Sequence, residues 1–332
     1  MKRLIVCCIF VLTMSSCSKN FLFDGTNLSL YSWAGMTWRW TDSELQEKST
    51  KRLVYEEQYG DGNSIRLHQS MSIFNGVAFC FNDGEECRIY DVSSKESYYS
   101  ESLPDNSHHN NAQFSHYYYG ENDKFPLLFL SRGNYPPSQN DLLIVRINEK
   151  EKRYSYSVVK TIHSTIREAQ HCGSWVVDDE HGMLYLYCMT AGDWRMKENN
   201  NFCVFSFSLP DVFDPEDVTL GYEDVLNRWD YPYLIHQGGT YYNGYLLFNV
   251  QALKSIYGKS LECPKSVIAI NISNGHMDFY LPLDDLKETE GISVYKEKLY
   301  VSFKFGRENQ LPFGNVFTLN EYTLPASIKN GS

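Results

Sequence analysis

Several features are missing from this chain of 332 residues, and each absence excludes a class of protein. Positive charge is scarce: 30 Lys and Arg stand against 41 Asp and Glu, and the net charge of −11 argues against nucleic acid as the main partner. Long apolar runs are missing after the first 16 residues, so we expect no further membrane segment. Patterns typical of α-helices are almost missing too, which favours an all-β fold.

The signatures of common catalytic and metal sites are also missing. The chain has no GxSxG, HExxH or P-loop pattern and no glycine-rich nucleotide fingerprint. Its 9 Cys include no CxxC pair and no Cys/His cluster of the kind that holds zinc. The acidic run Asp178-Asp179-Glu180 lies at a turn, where we expect it to face solvent. Any catalytic role therefore has to come from residues that the fold brings together.

The sequence contains instead a repeated unit in which a polar pair precedes a short apolar strand pattern. The pairs are His68-Gln69, His109-Asn110, Gln170-His171, His236-Gln237 and Thr289-Glu290. The segments that begin at His68 and His236 agree position by position through the turns Asn75-Gly76 and Asn243-Gly244. A unit repeated at intervals of about 40 to 66 residues predicts a propeller or a solenoid.

The repeat predicts an all-β, five-bladed β-propeller whose blades are four-stranded antiparallel sheets. Blades one to four would span about residues 68–103, 108–163, 168–227 and 234–286, with Asn82-Asp83-Gly84 as a hairpin turn in the first. The fifth begins at Thr289 and runs out of chain after three strands, and Lys51–Gln58 has the pattern of the missing outer strand. That amino-terminal strand would close the ring and remove the open sheet edges. A six-bladed ring, using residues 20–42, is the alternative.

The amino terminus has the features of an export signal. Lys2 and Arg3 precede an apolar run and small residues, which predicts a signal peptide over residues 1–16. The sequence Met14-Ser15-Ser16-Cys17 resembles the lipobox of bacterial lipoproteins. That resemblance implies lipidation of Cys17, a tether over residues 17–45, one propeller domain over residues 46–332, and anchoring to a bacterial membrane, with the outer membrane expected. An ordinary signal peptide that contains Cys is the alternative.

Four cysteines of the exported chain stand in two pairs on neighbouring predicted strands. Cys80 and Cys87 flank the Asn82–Gly84 segment, and Cys188 and Cys203 flank a longer loop at an equivalent place. Export permits disulfides, so each pair is a candidate. The alternative is that all four are small buried thiols in the core.

The polar pairs form the candidate site, because the innermost strand of each propeller blade lines the central axis. The predicted ligand-binding residues are His68, Gln69, His109, Asn110, Gln170, His171, His236, Gln237 and Glu290. Alignment by the following strand makes Gln69, Asn110, His171, Gln237 and Glu290 equivalent. The four His and Glu290 are also candidate ligands of a divalent cation, and His109, His171 and His236 are candidate acids or bases. The alternative is that the pairs only hydrogen-bond neighbouring blades or hold ordered water.

Charged and aromatic residues add two further candidates. Arg132 and Lys304 end second strands of their blades, where a cation would neutralise a uronic acid carboxylate. The aromatic content of 15% is high enough to supply sugar platforms as well as the core. Tyr117-Tyr118-Tyr119, Trp229-Asp230-Tyr231 and Tyr241-Tyr242 are the candidate platforms.

The His-Gln and His-Asn-Asn openings, followed by blade strands, are similar to those of teichoic-acid-biosynthesis-C-like propellers and propeller polysaccharide lyases. The resemblance covers about residues 50–325 in architecture and carries no catalytic role over to any residue. Three functions follow as hypotheses: a surface or periplasmic module that binds a carbohydrate or other small ligand, a polysaccharide lyase or glycoside hydrolase, and a protein scaffold. The lipid anchor, the aromatic content and the missing catalytic motifs favour the binding module.

Overall fold

The computed structural model describes residues 31–33, 36–38, 46–59, 68–84, 87–103, 107–133, 140–169, 173–190, 201–231, 235–251, 265–283, 288–304 and 315–329. The predicted signal peptide and Cys17 lie outside these residues. β1 (Tyr31–Trp33) pairs with β2 (Met36–Trp38) in a small hairpin. The later described strands, except for one short strand that pairs in parallel with a blade edge, form five four-stranded antiparallel sheets, which are the blades of a β-propeller. In the part of the chain that the structure describes, no helix is long and apolar enough to cross a membrane.

The blades follow one another along the chain and are named A to E. Blade A contains β4 (His68–Phe74), β5 (Val77–Gly84), β6 (Cys87–Asp91) and β7 (Ser97–Ser100). Blade B contains β8 (Ser107–Phe114), β9 (Leu128–Gly133), β10 (Asp141–Lys150) and β11 (Arg153–Ser164). Blade C contains β12 (Ser174–Asp178), β13 (Met183–Met189), β14 (Phe202–Ser208) and β16 (Asn227–Tyr231), with the short β15 (Val218–Leu220) in its last connection.

Blade D contains β17 (Ile235–Tyr242), β18 (Tyr245–Gln251), β19 (Ser266–Asn271) and β20 (Met277–Pro282). Blade E contains β21 (Glu288–Tyr295), β22 (Lys298–Lys304), β23 (Asn315–Thr323) and β3 (Lys51–Tyr59). A single helical turn, α1 (Ala326–Lys329), follows β23. Short 3₁₀ turns at Arg167–Ala169 and Tyr222–Asp224 flank the strands of blade C.

The two ends of the chain close the ring, as the sequence predicts. β3 runs antiparallel to β23, with Tyr55 opposite Leu319, and Arg52 forms a 2.6 Å ion pair with Glu321. Val54 on β3 is buried between blade E and blade A. The five-bladed ring is therefore confirmed, and the alternative that used residues 20–42 in a sixth blade is not the fold.

The hydrophobic core lies between the blades. Five clusters of buried side chains fill the interfaces between neighbouring described blades, and each draws on two of them. Between B and C, for example, Trp175 packs with Phe129 and Phe205. Because both faces of each sheet are covered, the strands read as nearly continuous apolar runs rich in aromatic and β-branched residues.

The repeated Asn-Gly turns have the geometry that the sequence predicts. Asn75 and Gly76 have φ values of 51° and 79°, and Asn243 and Gly244 have 52° and 85°. Positive φ at both central residues defines the type I′ turn, whose twist matches a two-stranded hairpin. These turns fix which residues of the inner and second strands face each other in blades A and D.

Two expectations about strand limits were wrong. Asn82-Asp83-Gly84 is not a turn, because it continues β5 and pairs with the start of β8 in blade B, Asp83 lying opposite His108. The fourth strand of blade C is β16, so Trp229-Asp230-Tyr231 belongs to a sheet. Trp229 stacks on Tyr185 at 6.2 Å and Tyr231 is buried, so these rings pack the core.

Candidate functional site

The inner strands β4, β8, β12, β17 and β21 begin at one face of the propeller, which we call the mouth face. They end at the opposite face, the turn face, where each connects to its second strand. The four described polar pairs, those of blades A, B, D and E, stand at the mouth face. In four blades the pair coincides with a shift in strand register at the start of the inner strand. Such a β-bulge inserts an extra residue and redirects the neighbouring side chains.

The register of the hairpins assigns the bulged residues to levels. Counting five residues back from the last paired residue of each inner strand places Gln69, His109, Gln237 and Glu290 at one level. The sequence alignment put Asn110 in this set, so it was one residue out in blade B. The reason is that a long connection joins β8 to β9 in blade B. Without a two-residue turn at the end of β8, the sequence does not show which residue of β8 is the last one paired. Gln170 and His171 of blade C lie outside the described residues.

These side chains differ in their exposure. His109 and Glu290 are fully buried, and Gln69 is nearly so. Asn110 and Gln237 are partly exposed, as are His108 and His236. The side chain of His68 is outside the described part. The ligand-binding role of the whole set stays a prediction, and Asn110, His236 and Gln237 are its described members that are partly exposed.

A buried asparagine closes the axis just below this level. The Nδ2 group of Asn111 donates to the carbonyls of Trp175 and Gly239, each at 2.8 Å, and its Oδ1 accepts from the Gly239 N–H at 3.1 Å. One side chain on blade B therefore holds inner strands of blades C and D. The axis is bridged here by protein atoms, and the mouth has a closed floor.

Glycines allow the inner strands to approach so closely. A Cβ at Gly238 would lie 2.7 Å from the Glu290 carbonyl oxygen, and a Cβ at Gly291 would lie 2.5 Å from the Met71 nitrogen. Real Cβ atoms do not tolerate such distances, so these positions require glycine. The close backbone packing makes the floor narrow and rigid.

Neighbouring blades also hold the backbone of the bulges. The Tyr187 hydroxyl of blade C donates to the Gln237 carbonyl at 3.0 Å. The Asn249 Nδ2 group of blade D donates to the Glu290 carbonyl at 2.7 Å in the same way. The backbone of the polar pairs thus carries inter-blade hydrogen bonds, which orients the side chains at the mouth.

His236 stands in an aromatic environment. Its ring lies edge-on to Tyr187, with centroids 4.8 Å apart, and 5.3 Å from Phe202. Burial lowers the pKa of His236 to about 4, although a hydrogen bond with the Gln237 backbone acts in the opposite direction. The imidazole is therefore neutral at pH 7.

Arg132 belongs to a charged network at the mouth face. It forms an ion pair with Asp141, which is almost fully buried, and the Nδ1 atom of His163 lies 2.8 Å from the other oxygen of that carboxylate. The amide of Asn110 lies against Gly133, so it is a neighbour of Arg132 along β9. The charge of Arg132 is thus already balanced by protein. The side chain of Lys304 is outside the described part.

The metal prediction finds no support in the described residues, where no group of three or more His, Cys, Asp or Glu stands close enough to hold an ion. His109, His236 and Glu290 therefore do not form such a group with one another. The prediction for the complete set, with His68 and His171, stays untested.

A cluster on the turn face was missed by sequence reasoning. Asp178 and Asp179 are buried, and only Glu180 of this run is exposed, so the expectation that the run faces solvent was wrong for two of its members. Asp179 accepts hydrogen bonds from the His116 N–H at 2.6 Å and from the Ser115 hydroxyl, and its other oxygen lies 2.7 Å from His116 Nδ1. One carboxylate therefore clamps blade C to the loop that leaves β8.

Charge and burial compete at His116. Burial by itself lowers the pKa of His116, but the hydrogen bond and negative charge of Asp179, with help from Glu180, outweigh it and raise the pKa. Asp178 holds His181 in the same manner, with Oδ2 2.9 Å from Nδ1. The sequence could have predicted the burial of Asp178, because this residue ends an inner strand and both faces of an inner strand are covered in a propeller.

The candidate sugar platforms are divided between surface and core. Tyr118 and Tyr119 are about half exposed on the turn face, and Arg146 lies 5.2 Å from the Tyr119 ring. Tyr117 is partly buried and its hydroxyl donates to the Asp179 carbonyl at 2.9 Å. Tyr241 is partly buried beside His181, with ring centroids 6.2 Å apart. None of these described rings lies at the mouth.

Comparison with known proteins gives little beyond the fold. No protein-family profile matches the sequence, and no curated protein does. The glutaminyl cyclase of Myxococcus xanthus has a similar structure, with a TM-score of 0.46 and 10% identity over 84% of this chain and 99% of that one. The PQQ-bound aldose sugar dehydrogenase of Streptomyces coelicolor has a TM-score of 0.43 and 10% identity over 83% of this chain and 98% of that one. Likeness at this level carries no argument about function.

Proposed function

We propose that this chain is an exported, lipid-anchored propeller that binds a carbohydrate at its mouth face. The observation that supports this most is the pair of partly exposed amides, Asn110 and Gln237, which two bulged inner strands present above a floor that Asn111 closes. Bulges that recur at the same level of a repeat present side chains in a fixed arrangement. A closed floor suits a ligand that rests on the mouth better than one that passes through it.

The chemistry of the mouth favours an uncharged ligand with many hydroxyl groups. The partly exposed side chains of Asn110 and Gln237 carry amides, and each amide both donates and accepts hydrogen bonds. His236 is neutral at pH 7, and Arg132 is paired with Asp141. A uronic acid would need a cation that is not already paired, and Arg132, the candidate cation whose side chain is described, is paired with Asp141, so we favour a neutral sugar.

The same residues favour binding over a lyase reaction. A lyase base must accept a proton near neutral pH, and a histidine with a pKa of about 4 is a weak base there. The lyase also has to neutralise a carboxylate, and of the two candidate cations Arg132, the one whose side chain is described, already forms an ion pair with Asp141. The binding module therefore remains the better hypothesis.

Glycan arrays followed by calorimetry on the mature chain test the proposal. We expect Asn110→Ala and Gln237→Ala each to weaken binding by about two- to tenfold, since a lost hydrogen bond is worth about 0.5–1.5 kcal/mol. Asn227→Ala, an exposed amide on the outer strand of blade C, is the matched control and should bind as the natural chain does. Failure of every neutral glycan to bind, or equal affinity in all variants, would refute the proposed site.

The anchor has its own test. We expect the natural chain to incorporate a labelled fatty acid and to sediment with membranes in a bacterial host. Cys17→Ser should abolish the label and release the protein, with Cys80→Ala as the control that keeps both. An unlabelled natural chain would refute the lipid anchor while leaving the ligand site open.

A further inference from the structure

The four described cysteines form two pairs, and the two pairs differ in whether their thiols lie on the same face of the sheet. Cys80 lies opposite Arg88, and Cys87 lies opposite Phe81, so the two thiols project from opposite faces of blade A. Cys80 packs toward blade E and Cys87 toward blade B. The disulfide that the sequence allowed between them is therefore wrong, because the sheet itself separates the sulfurs.

Cys188 and Cys203 meet the geometric requirement instead. They are directly opposite each other on β13 and β14, and their Sγ atoms are 3.4 Å apart. Directly opposite residues on antiparallel strands have the Cα separation that a disulfide spans, and closing this gap needs only small rotations of two side chains. Both residues are fully buried in the cluster between blades B and C.

The pair stands next to the mouth face, at the base of the connection from β13 to β14. Just beyond it, the Thr190 N–H donates to the Asn201 carbonyl at 2.8 Å, and the Asn201 N–H donates to the Thr190 hydroxyl at 2.7 Å. The strands are therefore already aligned on the mouth side of the sulfurs. Phe202, which contacts His236 at the mouth, is adjacent to Cys203 in the chain.

We propose that Cys188 and Cys203 form a structural disulfide when the chain folds in an oxidising compartment, an inference that rests on the proposed export. The oxidant is a disulfide of a thiol–disulfide exchange partner. One cysteine thiolate attacks a sulfur of that disulfide and releases the partner's first thiolate, which takes a proton. The second cysteine thiolate then attacks the mixed disulfide, forms the Cys188–Cys203 bond, and releases the partner's second sulfur as a thiol.

Burial dictates when this reaction takes place. Neither sulfur is exposed in the folded chain, so exchange has to occur before blade C closes against blade B. After folding, the same burial protects the bond from reductants. A cross-link around a loop of this length is expected to shift the unfolding equilibrium about a hundredfold toward the folded state.

The experiment compares the full chain made with its natural signal, and the same chain refolded in glutathione buffer, by non-reducing peptide mass spectrometry after thiol blocking. We expect a cross-linked peptide pair containing Cys188 and Cys203 in both samples. Cys80 and Cys87 should carry the blocking group. In urea unfolding, dithiothreitol should lower the folding equilibrium constant of the natural chain and of Cys80→Ala about a hundredfold. The equilibrium constant of the double variant Cys188→Ala/Cys203→Ala should be the same with and without dithiothreitol.

The outcomes separate the two proposals. Blocked Cys188 and Cys203 in the refolded sample, or a link from either to Cys172 or Cys263, would overturn the disulfide. A bond in the refolded sample but not in the cell-derived one would contradict export and leave the geometric inference standing. If Cys188→Ala/Cys203→Ala fails to fold, the peptide map of the natural chain still decides.

Discussion

Replacing Asn111 with alanine tests the reasoning about the closed axis most directly. Asn111 is 1% exposed and makes three hydrogen bonds to backbone groups of two other blades. The two hydrogen bonds that Asn111 donates contribute about 1 kcal/mol each, and loss of the third leaves the Gly239 N–H as an unsatisfied buried donor, which costs about 1–3 kcal/mol. We therefore expect Asn111→Ala to lower the free energy of unfolding by about 3–5 kcal/mol.

Urea unfolding followed by tryptophan fluorescence and circular dichroism measures this loss. The transition midpoint should fall while its slope is unchanged, because the exposed area on unfolding stays the same. Asn227→Ala is the control, and a surface change of this kind should cost less than about 0.5 kcal/mol. A loss below about 1 kcal/mol for Asn111→Ala would show that the inner strands hold one another without this bridge, and our account of the mouth would be wrong.

Asn111→Asp tests the direction of the hydrogen bonds. A carboxylate still accepts from the Gly239 N–H, but it cannot donate to the carbonyls of Trp175 and Gly239. Burial and the facing carbonyls raise the folded-state pKa of the introduced acid, so the variant loses stability as the pH rises. If Asn111→Asp is equally stable at pH 5 and pH 8, the assignment of the amide nitrogen as the donor is refuted.

Three further predictions concern other parts of the ring. Because the pKa of His116 is raised from 6.5, its pairing with Asp179 should stabilise the fold below pH 6.5, and this contribution should be lost as the pH rises through the raised pKa. Melting temperatures of Asp179→Asn should not show this fall with pH. Because the pKa of His236 is lowered to about 4, stability should fall as the pH drops from 6.5 toward 4, and His236→Phe should remove this part of the acid sensitivity in the same melting assay. Gly291→Ala should cost about 1–3 kcal/mol in urea unfolding, since its Cβ would meet Met71, and an unchanged midpoint would contradict the close strand approach.

The fold was accessible from the sequence because its determinants are local and repeated. The Asn75-Gly76 and Asn243-Gly244 turns form type I′ hairpins, and alternating apolar residues beside them specify strands. Lys51–Gln58 has the pattern of an outer strand and lies where the last blade lacks one, so ring closure followed from counting. Periodicity therefore favoured five blades and a closing strand, and the pairing of β3 with β23 decided against a sixth blade.

The site was less accessible, because it depends on register. His109, not Asn110, is level with Gln69 and Gln237, and only the pairing of β8 with β9 reveals this. A shift of one residue moves a side chain to the other face of a strand. When a long loop separates two paired strands, the sequence pattern of one strand does not show which residue of the other strand lies opposite.

What the sequence by itself determined is the repeated strand pattern, the Asn75-Gly76 and Asn243-Gly244 turns, and the closing strand that favours five blades. Tertiary structure alone decided which polar groups and cysteines are buried and which residues they contact. Asn111 bridges three blades, and Asp179 binds the loop at His116. Cys203 faces Cys188, whereas Cys80 and Cys87 lie on opposite faces of their blade. The physical reason is that alternation along a strand specifies only two faces. The residues that pack against each face come from strands that are far away in the sequence.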